Sequence, residues 1–186
     1  LDSSAAHSTY REKLKGNRIF FGRYTGETPV TGFRQHPRID SARKDEYERR
    51  GRKLTQLFDF MVDSEKTQNQ INELIDQHAI SEAHLEESNR KFKESDRFLF
   101  PRVDGSELVD RWNIQETPPD ILITNISMLG GILNREVDAE ILDKTRKWIE
   151  SSDDAYFYLV LDELHLHRGT SGTEVTYLLR SLLFRL

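Results

Sequence analysis

At 186 residues the chain has room for one domain of ordinary size, or for one domain carrying an insertion. With 27 Lys and Arg against 32 Asp and Glu the formal charge is −5, and 36% hydrophobic beside 32% charged residues is a polar but foldable composition. The lack of cysteine excludes a disulfide scaffold, Cys-ligated zinc, an iron–sulfur cluster and a thiol nucleophile. No apolar run approaches the roughly 18 residues that span a bilayer, so no membrane partner is expected.

The charge is unevenly spread. Residues 1–53 hold 13 Lys and Arg against 7 Asp and Glu, a balance of +6, and residues 54–186 hold 14 against 25, a balance of −11. A basic half suits a polyanion, although a solvated mixed-charge surface accounts for it equally. The opening Leu1-Asp2-Ser3-Ser4 shows neither a start methionine nor a signal-peptide core. The expectation is a piece of a longer cytoplasmic protein, continuing past Leu186, which lies inside an apolar helical pattern.

In chain order, residues 1–16 are polar, helical or loose. Arg18 to Tyr24 carries the apolar triplet Ile19-Phe20-Phe21 and predicts a short strand, broken by Thr25-Gly26-Glu27-Thr28-Pro29. Pro37 is a stop. From about 41 to 96 the pattern is helical, with Leu54, Leu57, Phe58 and Met61 on one face and Ile71, His78, Leu85 and Phe92 recurring every seven residues. So narrow a stripe suits a protruding hairpin or partner-binding arm better than a central core. Pro118-Pro119-Asp120 precedes a short buried strand, Ile121-Leu122-Ile123. Residues 138–150 predict an amphipathic helix with Ile141, Leu142, Thr145, Trp148 and Ile149 inward. Tyr156 to Leu161 is the most apolar run and predicts a strand buried on both faces of a parallel sheet. A helix from about Gly172 to the end presents Val175, Leu178, Leu179, Leu182 and Leu183. Alternating strands and helices indicate an α/β fold.

The sharpest chemical signal is Asp162-Glu163-Leu164-His165, directly after that apolar run. At this composition D-E-x-H arises by chance about 0.04 times, before any strand is required in front of it. A parallel sheet presents ligand sites at the carboxyl ends of its strands. A carboxylate there can hold magnesium on a nucleotide through waters, and a second beside it can orient or deprotonate the attacking water. Asp162 and Glu163 suit those two tasks, with His165 sensing the nucleotide. Two alternatives stand beside this. Glu163, His165 and His167 would share a face of an extended strand and could bind a transition metal, or the carboxylates merely cap the turn that follows. A phosphate-cradling GxxxxGK[ST] loop is absent, so half of a nucleotide site is expected to lie before Leu1 or to be missing.

The DELH box resembles motif II of superfamily 2 helicases of the DExH type. Pro119-Asp120-Ile121-Leu122-Ile123-Thr124-Asn125 resembles the segment carrying their motif Ib, Tyr24-Thr25-Gly26-Glu27-Thr28-Pro29 their Y-x-G-[DE]-T-P signature, and Arg168-Gly169-Thr170-Ser171-Gly172 the R-G-x-x-G loop of bacterial MrfA-like helicases, whose relatives occur in phage-defence systems such as DISARM. These lie in the order the family requires and cover about 85 residues, 17–32 and 118–186. The resemblance implies a RecA-like, P-loop NTPase-type parallel sheet with helices on both faces. Residues 1–32 would be the N-terminal part of its first domain, 33–117 a mostly helical insertion, and 118–186 the remainder. It also implies an ATP-dependent helicase that uses ATP and Mg2+ and acts on single-stranded or duplex DNA, with RNA open. Asp162 would coordinate magnesium, Glu163 position the water and His165 couple ATP state to a second domain. Thr25, Gly26, Thr124, Asn125 and Arg168 would contact nucleic acid, although a strand-end role for Thr124 and a salt bridge across the turn for Arg168 are equally good readings. Without motif I and a second domain the chain alone is expected not to hydrolyse ATP. The alternative from another class is a non-catalytic RecA-like scaffold whose helical insertion, 41–96, docks a partner protein.

Overall fold

The computed structural model describes residues 4–34, 44–76 and 102–186. The chain divides into two compact units, residues 1–18 with 39–107, and residues 19–38 with 108–186.

In the first unit, helix α1 (Ser4–Lys13) buries Tyr10 and ends where the Gly16 N–H donates to the Tyr10 carbonyl at 2.8 Å. Gly16 sits at φ +88°, the left-handed conformation that closes a helix at least cost when the residue is glycine. Helix α2 (Lys44–Asp76) runs 33 residues. Leu54, Leu57 and Phe58 are partly covered and Met61 is buried, so the i, i+3, i+4, i+7 face predicted from the sequence is the covered one. The exposed side carries i,i+4 ion pairs such as Lys44–Glu48 and Arg52–Glu48, which support a long helix by a few tenths of a kcal/mol each. Of the heptad stripe, the side chain of Ile71 and the whole of His78, Leu85 and Phe92 lie outside the described residues, as does Pro37.

The second unit holds the α/β core. Strand β1 (Phe21–Tyr24) pairs parallel with β3 (Ile121–Thr124), Phe21 facing Ile121 and Tyr24 facing Thr124. The short β2 (Glu107–Leu108) completes a three-stranded sheet of order β2-β1-β3. At the start of the strands the Phe20 N–H donates to Asp120 Oδ2 at 2.8 Å and the Ile121 N–H to the Phe20 carbonyl at 3.0 Å, which sets the register. Between and after these strands come α3 (Arg111–Glu116), α4 (Ile126–Asn134), α5 (Ala139–Glu150) and α6 (Thr170–Arg185). Helix α3 packs on β1 and α5, and α4, α5 and α6 pack on one another. Tyr24, Ile114, Ile132, Ile141, Leu142 and Leu182 form the buried centre.

Burial alternates along the strands. Gly22, Tyr24, Leu122 and Thr124 face the helices, whereas Ile121 and Ile123 are 45% and 49% exposed. The α/β class stands, but among the described residues the helices cover one face of the sheet, and the short buried strand expected at Ile121–Ile123 is corrected to a half-buried one. A short continuous apolar run looks the same whether one or both faces will be covered. The run Tyr156–Leu161 is a larger correction. It forms no strand, and Tyr158 and Val160 are 83% and 87% exposed. A strand exists only where a neighbour takes its N–H and C=O groups. Among the described residues nothing pairs with this run. Trp148, expected inward, is 54% exposed, the buried residues of α5 being Ile141 and Leu142 in its first turn, and Leu183 is exposed too, beside the buried Leu182.

Gly22 shows how close the packing is: a Cβ there would fall 2.9 Å from Cδ1 and 3.1 Å from Cγ1 of the fully buried Ile114. Gly22→Ala should lower the urea-denaturation stability by about 1–3 kcal/mol through overpacking. Adding Ile114→Val, which removes the clashing Cδ1, should recover part of that loss. Additive costs in the double variant would show that the two residues do not meet.

Candidate functional site

The parallel register brings two of the sequence-predicted segments together. Because Tyr24 faces Thr124, the chain leaves β1 at Thr25-Gly26 and β3 at Asn125 side by side, at the carboxyl edge of the sheet. The Thr124 hydroxyl donates to the Tyr24 carbonyl at 2.7 Å, stitching the two strand ends. That proton is therefore committed inside the fold. Asn125 caps α4, its Oδ1 accepting from the Met128 N–H at 2.8 Å. The N–H groups of the first turn, at Ile126 and Ser127, are left without helical acceptors, as at every helix start. On the β1 side the turn is braced by its own side chains. The Thr25 N–H donates to Thr28 Oγ1 at 2.9 Å, and the Thr28 hydroxyl donates to the Arg23 carbonyl at 2.6 Å. Gly26 is exposed, with open space where a Cβ would be.

Beneath this edge lies a buried polar network that the sequence did not reveal. The Tyr24 hydroxyl donates to the Asp138 carboxylate. Gln115 Nε2 donates to both Tyr24 Oη and Asp138 Oδ1 at 2.9 Å, and Arg135 Nε donates to Asp138 Oδ2 at 2.7 Å. Burial, followed by the bond to Asp138 and its charge, pushes the Tyr24 phenol well above its ordinary value, which favours the protonated, donating form. Arg111 lies over the Tyr24 ring, 5.4 Å from its centroid, and its Nη2 donates to the Thr25 carbonyl at 2.7 Å and to that of Gly26 at 3.3 Å. The one available signal was Asp110, an N-cap type before a helical stretch. It predicts a helix start, not that Arg111 reaches back 86 positions.

The DELH segment is a turn. Leu164–Leu166 forms one turn of 3-10 helix, entered through Glu163 at φ +50°, ψ +31°, with no side-chain cap. The turn-capping alternative is thereby overturned. So is the metal alternative, since Glu163, His165 and His167 do not alternate along a strand; among the described residues no group of three His, Asp or Glu could hold a metal. Asp162 is exposed and makes no hydrogen bond among the described residues. Glu163 Oε2 lies 3.3 Å from His165 Nε2, both side chains largely in solvent. Arg168 crosses the turn through its Nε, which donates to the His165 carbonyl at 3.2 Å, rather than through a carboxylate. His167 Nδ1 meets Ser171 Oγ at 3.1 Å at the start of α6. The hard carboxylate oxygens of Asp162 and Glu163 fit a hydrated magnesium ion by donor type.

Asp110 is fully buried at the start of α3, accepting from the Asn113 N–H at 3.0 Å and from its Nδ2 at 2.6 Å. Burial raises its carboxyl above the usual range, and the bonds from Asn113 and Trp112 with the charge of Arg34 only partly oppose this. An acid whose folded pKa is raised contributes most below its unfolded pKa, and that contribution is lost as pH rises through the folded value. Asp110→Asn keeps a capping oxygen, Asn113 turning its amide over to pair with it. In urea melts across pH, the variant should therefore gain on wild type as pH climbs from about 4 to neutrality. A constant difference would mean that Asp110 ionises freely in the fold.

No helix among the described residues is long and apolar enough to cross a membrane. Compared with known proteins, the chain matches no family model, and no solved structure matches at a significant level. It is similar to Druantia protein DruE of Escherichia coli (strain UMEA 4076-1), 39% identical over 88 residues, which span 47% of this chain and 5% of that much longer protein.

Proposed function

We propose that these residues belong to an ATP-dependent helicase or translocase that moves on DNA, with a role in anti-phage defence. The observation that carries the proposal is the register of β1 and β3, which sets Thr25-Gly26 beside Thr124-Asn125 at one sheet edge. In the DExH helicases that these motifs resemble, the threonine of the second segment grips a nucleic-acid phosphate, and the Thr25-Gly26 turn would supply a second contact because glycine lets the backbone approach a phosphate closely. The similarity to Druantia protein DruE supports the defence setting.

In this reading Thr25, Gly26, Thr124 and Asn125 hold the phosphate backbone. Backbone N–H groups serve as donors where the Thr124 hydroxyl is already used, and Arg168 adds charge from the DELH turn. Contacts of this kind are independent of base sequence. Asp162 would hold magnesium on ATP, and the ion supplies charge neutralisation on the phosphates when bound. Glu163 orients the lytic water and accepts its proton. His165, whose Nε2 lies 3.3 Å from Glu163 Oε2, would couple the ATP state to a second domain.

The test is ATP turnover by a full-length protein carrying these residues, with and without single-stranded DNA. DNA should stimulate turnover, and Glu163→Gln should reduce it by about 10²–10⁴-fold while ATP binding persists. Substantial hydrolysis by that variant would overturn the assignment of Glu163. No turnover in wild type, with or without DNA, would favour a scaffold that docks a partner through its helical segment.

A further inference from the structure

We propose that Arg111 is a positioning residue for the phosphate-binding edge: a buried guanidinium that turns the Thr25 and Gly26 carbonyls inward and so presents the Gly26 N–H to a backbone phosphate of a nucleic-acid strand. This rests on the assignment of that edge as a phosphate contact and adds a residue outside every recognised motif.

Three observations carry it. First, Arg111 is only 4% exposed, yet among the described residues it pairs with no carboxylate; its partners are two carbonyls and the face of Tyr24. A cation taken out of water ordinarily faces an anion, because its lost hydration is otherwise uncompensated. Its Nε is buried and has no hydrogen-bond partner among the described residues. The positive charge is thus held under the edge and left open to an anion on the far side of the turn.

Second, peptide geometry dictates the direction of the donor. There are no cis peptide bonds, so the C=O of Thr25 and the N–H of Gly26 point opposite ways across one planar unit. With the carbonyl fixed on Arg111 Nη2 at 2.7 Å, the Gly26 N–H is aimed away from the guanidinium. It meets no acceptor among the described residues, whereas the next N–H, of Glu27, is taken by Thr25 Oγ1 at 3.3 Å. A cation on the carbonyl also polarises the peptide and makes its N–H a stronger donor.

Third, Gly26 itself is exposed, and among the described residues no atom beyond its two chain neighbours lies within 4 Å of where a Cβ would stand. The guanidinium is itself held by position: Asp110 caps the helix that carries it, and the Arg111 N–H donates to the Pro29 carbonyl at 3.2 Å, closing the far end of the same turn.

The experiment is fluorescence anisotropy of this chain with a labelled oligothymidylate across a salt series, on wild type, Arg111→Met and Arg111→Lys, with thermal melts to establish folding. Wild type should bind. Arg111→Met should weaken binding about tenfold and lower the slope of log K against log salt by about 0.7, the contribution of one phosphate on a single strand. Arg111→Lys keeps the charge and should keep the slope, which a merely structural arginine would not require. A folded Arg111→Met with unchanged affinity and slope would overturn the inference while leaving the edge assignment intact. Should the Met variant fail to fold, a folded Lys variant with a reduced slope would overturn it equally. Excess ATP should leave the complex in place; its displacement by ATP would make the anion a nucleotide and defeat the proposal. A wild type that does not bind DNA would remove both the edge assignment and this inference.

Discussion

The bond from the Tyr24 hydroxyl to the Asp138 carboxylate is the constraint on which the α/β unit depends. Both side chains are fully buried and stand 114 positions apart, so the bond exists only in the folded chain. It draws the end of β1 onto the turn that opens α5, and Gln115 joins α3 to the same two groups. Taking a carboxylate out of water costs several kcal/mol unless it is paired and bonded. Asp138 is both, through Arg135, Gln115 and Tyr24. Such a network permits only one arrangement, because displacing any member leaves a buried acceptor unmet. The position of Tyr24 then sets that of Thr25 and Gly26, and the strand ladder sets that of Thr124.

Parallel pairing explains why distant motifs meet. In a parallel sheet equivalent ends of neighbouring strands lie on the same edge, and helices that start there aim their free N–H groups at it. Asn125 consumes one such donor by capping and leaves the rest. On β1 no helix follows; the turn Thr25–Pro29 instead satisfies itself with threonine hydroxyls and is pinned from below by Arg111. One edge therefore combines a helix start with a braced turn. Both offer backbone donors, which suits a ligand whose recognised feature is charge.

The DELH turn is built differently. Glu163 adopts a left-handed backbone at a cost on the order of 1–3 kcal/mol for a residue with a Cβ. The 3-10 bonds from Leu166 to Glu163 and from His167 to Leu164 hold it there. Gly172 makes the approach of the following helix possible, since a Cβ at that position would fall 2.8 Å from the His167 carbonyl oxygen. The acidic and imidazole groups consequently lie on a short, tightly closed loop between the apolar segment Tyr156–Leu161 and α6, Asp162 having no hydrogen bond among the described residues.

Local features were legible from the residues alone. The strand at Tyr24, the glycine and proline that end it, the covered face of α2 and the helices over 138–150 and 172–186 all follow from periodicity and turn chemistry, which act over a few neighbouring residues. The DELH box is equally local. What the sequence could not determine was coverage and partnership. Whether Ile121 and Ile123 are buried depends on what lies over the second face of the sheet. Whether Tyr156–Leu161 becomes a strand depends on a neighbour to receive its hydrogen bonds. The Tyr24–Asp138–Gln115 network and the reach of Arg111 to Thr25 join positions 23 to 114 apart, and no pattern within a helical or strand period encodes such distances. Propensity is a property of a segment, whereas burial and hydrogen-bond satisfaction belong to the assembled unit, and only the tertiary structure decides them.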